Sequence, residues 1–239
     1  MTWQQHVLPH SQVRQLGPAL WYVTGSLPKG SMPRTMVVHR LSGGESGRAR
    51  LLIHSAVALN DAGMNQLEAL GTPSVMIVPN RFHRLDAAVW KERYPELQVL
   101  CPEAAAPQVK ARVPVDGSCE ASLPGYEIVC HATPGIRAGE LCYEMACGDG
   151  TKALVVTDVL FNLPDLPGLD GKIFKWLGST GFFGITRIGR LMMMNDRQAF
   201  KQWLLDLSRR TDIAHVVVGH GDPLSGNVAE KLKAAAGRL

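Results

Sequence analysis

Apolar and polar positions along this chain fall into two kinds of pattern. Short runs of branched and aliphatic residues, bounded by glycine, proline or asparagine, predict strands at 20–24, 35–41, 51–55, 75–78 and 98–101. The second half repeats the order, with strands predicted at 127–131, 141–145, 153–157 and 213–218. Helical spacing separates them. Residues 60–70 form one such segment, opened by Asn60 or Asp61 and closed by Gly71. Residues 87–94 form another. In 196–210, Phe200, Trp203, Leu204 and Leu207 share one face, opposite Lys201, Asp206 and Arg209. Residues 227–237 close the chain as a helix. Turns are predicted at 28–31, and a hairpin-type connection at 42–47.

Strands thus come in clusters with helices after them, once in each half. Two packed sheets sheathed by helices suit that order better than a doubly wound parallel sheet. The class is α/β. A length of 239 residues fits one large domain or two small ones, and residues 1–239 are taken as one.

Composition narrows the classes of function. Apolar residues make up 46% of the chain, enough for a sizeable core, and charged residues 19%. The net charge of +4 is mild and its basic residues are scattered, so a nucleic-acid partner is not expected. No glycine-rich nucleotide-binding signature is present. The segment from Met1 to His6 lacks the basic start and apolar core of a signal peptide. The most membrane-like stretch, 176–186, is too short for an integral membrane segment. Five cysteines, an odd number with no C-x-x-C pair, argue against a zinc knuckle or a disulfide framework and for reduced thiols in the cytoplasm.

Candidate chemistry gathers at strand ends. The apolar run Val75–Met76–Ile77–Val78 stops at Pro79–Asn80, and Arg81, His83, Arg84 and Asp86 follow before the next helix. Asp158 and His220 likewise follow β-branched runs. If those strands are neighbours, His83, Asp158 and His220 converge on one edge. Two imidazoles and a carboxylate are a common ligand set for a catalytic metal with an open position, and Asp86 is a fourth candidate. Each alone reads equally as a hydrogen-bonded structural histidine or a capping aspartate.

In this order the motifs resemble the metallo-β-lactamase superfamily. The segment 80–86 stands where its members carry T-H-x-H-x-D-H, and Thr133–Pro134–Gly135–Ile136 where they carry T-P-G-H. Residues 156–161 resemble the strand with the metal-bridging aspartate, and 217–223 the terminal G-H-G segment. The resemblance runs from about residue 14 to 236, and is nearest to a branch whose first motif reads P-N-x-x-H. It implies a four-layer αββα sandwich.

The departures bear on function. Arg81 replaces one metal ligand, Leu85 and Asp86 replace two more, and Ile136 replaces the middle histidine. The resemblance leaves His83, Asp86, Asp158 and His220, short of a dinuclear site. One divalent metal (Zn, Fe or Mn) on Asp86, Asp158 and His220 would suit a hydrolase using activated water on a small-molecule substrate. The competing reading has no metal: Arg81 neutralises Asp158 or Asp86, and the scaffold binds a small anion or is structural.

His54 ends a strand and lines the cleft or fills a hydrogen-bonded core place. His131 precedes the T-P-G turn and could lean inward to offset the missing histidine. His39 and His215 are structural, and Leu191–Met192–Met193–Met194 pack in the core or a lid over the cleft. Segment 163–195 mixes aromatics, glycine and cations. It is read as packing helices or a homodimer contact, as a substrate lid, or as a weak membrane-surface attachment.

Overall fold

Strand β1 (Arg14–Gly17) follows a helical turn, α1 (Trp3–His6), and leads into β2 (Leu20–Ser26), β3 (Pro33–Arg40) and β4 (Arg50–His54). Helices then alternate with strands: α2 (Asp61–Leu70), β5 (Thr72–Ile77), α3 (Ala87–Arg93), β6 (Gln98–Cys101), α4 (Ala106–Lys110), β7 (Gly117–Ser118), α5 (Cys119–Ser122) and β8 (Val129–Ala132). The second half carries β9 (Leu141–Ala146), β10 (Lys152–Val155), β11 (Phe161–Leu163), α6 (Gly168–Trp176), β12 (Phe182–Gly184) and α7 (Arg187–Met193). It closes with α8 (Arg197–Leu207), β13 (Ile213–Val217), β14 (Leu224–Ser225) and α9 (Val228–Gly237). This computed structural model describes residues 2–42, 48–137, 139–166 and 168–239, the side chain of Asp170 excepted. The connection expected at 42–47 therefore lies, but for Ser42, outside the described residues.

Strands β1 to β7 form one sheet in chain order, antiparallel through β4 and parallel from β4 to β7. The switch follows from the connections. β2 and β3 are joined by the turn at 28–31, whereas a parallel pair needs a crossover, supplied by α2 and α3. The second sheet has the order β14-β13-β10-β9-β8, with β10 and β13 parallel. α2 is capped as its sequence predicts, with Asn60 Oδ1 accepting from Gly63 N at 2.8 Å.

Side-chain alternation assigns the layers. Leu52 of β4, Ile77 of β5, Tyr143 of β9 and Val155 of β10 fill the space between the sheets. Leu51 and Ile53 point to the other face of the first sheet, where they meet Trp90 of α3 and Leu67 of α2. Leu154 and Val216 point away from the second sheet onto Phe200 and Leu204 of α8 and Leu232 of α9. Helix, sheet, sheet, helix is the resulting order, the four layers expected. Both faces of each central strand are buried, which is why these runs read as apolar throughout rather than alternating.

Segment 163–195 is more than two packing helices. β11 and β12 pair as a small antiparallel ladder, with α6 crossing between them and α7 after them. Among the described residues no helix is long and apolar enough to cross a membrane.

Candidate metal centre

The carboxyl ends of β5, β10 and β13 meet at one rim of the sandwich. β10 and β13 are parallel, so the residues after each emerge side by side, and Gly219 N donates to Thr157 O at 3.1 Å. Gly219 O in turn accepts from Thr35 N of β3 at 2.9 Å, tying the second sheet to the first. Glycine is required there: a Cβ would lie 2.8 Å from Thr157 O and 3.1 Å from a carbon of the His83 ring. After β5, Asn80 Oδ1 accepts from the backbone N–H of Phe82 (2.8 Å) and of His83 (3.2 Å), an Asx turn that swings the chain toward the second sheet.

His83, Asp158 and His220 are brought together as expected. Asp158 Oδ1 lies 3.2 Å from His83 Nε2 and 3.0 Å from His220 Nε2, and the three donor atoms lie within 4.8 Å of one another. Each ring is held from behind. His83 Nδ1 is 2.8 Å from Ser55 Oγ, and His220 Nδ1 donates to Pro33 O at 2.7 Å. Phe161 stacks on His220 with centroids 5.1 Å apart. Ser55 itself takes a left-handed backbone, φ 56°, a strained conformation for a residue other than glycine.

The donor set fits a divalent cation. The Nδ1–H of His220 is committed to a carbonyl, which only accepts. In the neutral ring, Nε2 therefore turns a lone pair on the Asp158 carboxylate, an arrangement that needs a positive charge between them. Two donors held tetrahedrally at about 2.0–2.1 Å from an ion stand about 3.3 Å apart, close to the separations here. Without an ion, a proton on His220 fills the same need. Burial opposes charge on that ring, but Asp158 raises its pKa. Burial likewise opposes charge on Asp158, yet the two histidines hold its carboxyl well below the usual range.

Two residues that the sequence reading passed over complete the site. Asn80 Nδ2 donates to Asp158 Oδ2 and to Glu140 Oε1, both at 2.8 Å. Glu140 is buried, and burial together with the Asp158 charge pushes its pKa up to about 8, so it holds a proton at neutral pH. The T-P-G segment at 133–135 and the N-x-x-H spacing at 80–83 are the signals nearest these two residues. Neither predicts their meeting.

Four expectations need correction. Asp86 does not join the cluster. Its Oδ2 accepts from Arg34 Nη2 at 2.6 Å and Ala58 N at 2.8 Å, and its Oδ1 lies 3.2 Å from His6 Nδ1. It is a buried strut between chain segments. Arg81 lines the cavity but does not replace a metal's charge. It is exposed, lies over the Phe82 ring at 4.5 Å and forms no ion pair among the described residues, while the arginine that neutralises Asp86 is Arg34. His131 stays on β8, the edge strand, opposite Cys142, and does not reach the cavity. His54 lies behind Ser55 rather than on the cavity wall. Among the described residues its ring nitrogens have no hydrogen-bond partner, and burial, then the neighbouring His83, push its pKa down to about 3.

A cavity of about 560 Å³ opens above the cluster. His83, Glu140, Asp158 and His220 form its polar floor, and Met32, Phe82, Leu85, Phe161, Ile188 and Met192 contribute to its apolar walls.

No family model matches the sequence. No curated protein matches it either. Solved structures do match. The metallo-β-lactamase DIM-1 is 12% identical with a TM-score of 0.62, covering 97% of this chain and 99% of its own. FIM-1 from Pseudomonas aeruginosa, in its mono-zinc form, is 11% identical with a TM-score of 0.58 over 98% of this chain and 97% of its own. The metallo-β-lactamase of Erythrobacter litoralis, solved with β-mercaptoethanol in its active site, is 13% identical with a TM-score of 0.59, over 95% and 96%. With both sheets, both helical layers and the shared rim in place along nearly its whole length, the chain has the metallo-β-lactamase fold.

Proposed function

We propose that the protein is a hydrolase of the metallo-β-lactamase superfamily with an eroded, mononuclear centre, in which one divalent metal is held by His83, Asp158 and His220. The observation that carries this reading is the convergence of three donor atoms beneath a cavity sized for a small molecule, with the Nδ1–H of His220 committed elsewhere. Zinc, iron or manganese suits two imidazoles and a carboxylate, and a mono-zinc form in FIM-1 is in keeping with one ion. Held there, such an ion would supply Lewis acidity toward a substrate oxygen and toward water. The chain's own residues do the rest. Ser55 and Pro33 O fix the two rings, and Asn80 holds Asp158 against Glu140. Glu140, buried beside Asp158 and facing the cavity, is the residue placed to pass a proton to the departing group. The partner is a small-molecule substrate rather than nucleic acid. Residues 1–239 act as one domain, and the five free cysteines suit a reducing, cytoplasmic setting.

A second reading keeps the scaffold without a metal: the two histidine rings, with a proton on His220, balance Asp158, and the cavity binds a small anion. The direct contacts of 3.0 and 3.2 Å favour it. Elemental analysis of protein purified without chelator separates the two. The hydrolase reading expects about one equivalent of a transition metal, lost in Asp158→Asn and in His220→Ala. Less than about a tenth of an equivalent, even after reloading, leaves only the metal-free reading.

A further inference from the structure

Exposed large apolar side chains are concentrated on one part of this molecule. Of the nine among the described residues, all but Val129 come from two short stretches, the loop after β5 and the segment carrying α6 and α7. On α6 they are Leu169, Ile173 and Trp176, at positions i, i+4 and i+7, which make a single outward stripe. On α7 they are Ile188, Leu191 and Met192, at i, i+3 and i+4. Phe82 and Leu85 complete the set. These are not marginal exposures: Trp176 is 80% accessible, Leu191 82% and Phe82 68%.

The stretches belong together. Phe82, Leu85, Ile188 and Met192 all line the cavity above the metal centre, so they form a collar around its mouth. The C-terminal end of α6 abuts α7, because Gly178 lies against the side chain of Arg187.

Positive charge is interleaved with this apolar surface. Lys172 on α6 and Arg187 on α7 are exposed and have no carboxylate within ion-pair distance among the described residues. Arg81 lies over Phe82 at the rim. Beside α7 a recess of about 350 Å³ is lined by Gly178, Thr180, Phe182, Arg187, Arg190 and Arg238. It gathers three guanidinium groups, and among the described residues no carboxylate lines it, Asp165 lying behind Thr180 at 3.0 Å. Arg190 donates to the backbone carbonyl of Arg238, and Arg238 stacks on Phe182 at 4.4 Å. Lys175 alone is neutralised, by Asp165 at 2.6 Å.

We propose that this face seats the protein on an anionic lipid surface, with α6 and α7 as its apolar foot, the three-arginine recess taking a lipid phosphate, and the cavity mouth opening toward the lipid. Apolar side chains entering the interfacial zone, flanked by cations over anionic headgroups, are the physical requirements for such attachment. A second copy of the chain is the poorer occupant. A two-fold contact sets the patch against a copy of itself, cation-rich surface on cation-rich surface, and Asp165, the described carboxylate beside α6, is already paired with Lys175. The orientation also defines the substrate class, an amphiphile whose apolar part enters between Phe82, Leu85, Ile188 and Met192 while its polar bond meets the floor. This last clause rests on the hydrolase reading, whereas the attachment itself does not.

Vesicle cosedimentation of the full chain tests the proposal, using phosphatidylcholine vesicles with and without phosphatidylserine. Binding is expected to the anionic vesicles only, and to weaken as salt shortens the screening length to about 3 Å near 1 M. Leu191→Asp and Trp176→Ala each change exposed side chains away from the cavity, and each is expected to reduce binding by about tenfold with the circular dichroism spectrum unchanged. Asp158→Asn is expected to leave vesicle binding intact, so a failed hydrolase reading and a failed attachment give different results. Absence of binding, equal binding to neutral vesicles, or binding indifferent to Leu191→Asp overturns the proposal. So does a dimer in light scattering that Leu191→Asp dissolves, which would make a second copy the occupant.

Discussion

Asp158 is where the charges of the site balance. One oxygen faces two imidazole nitrogens and the other accepts from Asn80, so the carboxylate is satisfied only as an anion. Glu140, which shares the Asn80 amide, cannot also ionise cheaply beside it. The consequence is a measurable pH dependence with a definite sign. Glu140 keeps its proton in the folded protein up to about pH 8, while in the unfolded chain it loses it near pH 4.5. Between those values the folded state binds the extra proton, so this group makes stability fall as pH rises. Removing the ionisable group removes the slope. Glu140→Gln keeps an acceptor for Asn80, and in urea denaturation it is expected to be about as stable as the parent at pH 5 and more stable at pH 8, by a few kcal/mol at most. Equal stability of the two proteins at both pH values would show that Glu140 is ionised in the fold.

The loop from β5 to α3 shows how one element serves both chemistry and folding. Its first half is set by the Asx turn at Asn80, which aims His83 across the rim. Its second half is anchored by Asp86, whose carboxylate ties β3 through Arg34, the β4–α2 connection through Ala58, and the N-terminal turn through His6. Arg34 is 5% exposed, so losing its partner leaves a buried, uncompensated cation. Asp86→Ala is expected to cost about 3–5 kcal/mol in chemical denaturation, whereas Arg34→Met combined with Asp86→Leu recovers most of that loss. Neither change is expected to alter the metal content per folded molecule. A large loss of metal in either variant would return Asp86 to the ligand set. The same loop marks what the amino-acid pattern makes legible. His83, Asp158 and His220 are readable because each is a polar residue placed at the end of a buried apolar run, and strand ends are where such sheets present their side chains. Asp86 is misread because an acidic residue before a helix has the same local signature whether it caps, ligates or forms a strut. Its true partner, Arg34, lies 52 residues away and carries no mark in sequence. Glu140 is invisible for a similar reason. It meets Asn80 because it stands just before β9, where its carbonyl accepts from Thr133 N after β8, 60 residues from Asn80 in the chain.

At the scale of the whole molecule, the site is also a clamp. His83 comes from the first sheet and Asp158 and His220 from the second, while Thr35 and Pro33 of β3 bind the backbone and ring of the 219–220 turn. An ion that binds these three side chains therefore binds only when the two sheets are docked, and its binding free energy becomes stability of the pair. This linkage tests the one-domain reading together with the metal reading. Calorimetry is expected to show one unfolding transition for the metal-free protein, because the space between the sheets is filled by side chains from both. Zinc at about a hundredfold over its dissociation constant adds about 2.7 kcal/mol, which moves the midpoint upward by about 5–11 °C for a chain of this size. Asp158→Asn is expected to keep the single transition and lose the shift. Two resolved transitions, with zinc moving only one of them, would mean that the sheets fold independently and that the clamp does not join them.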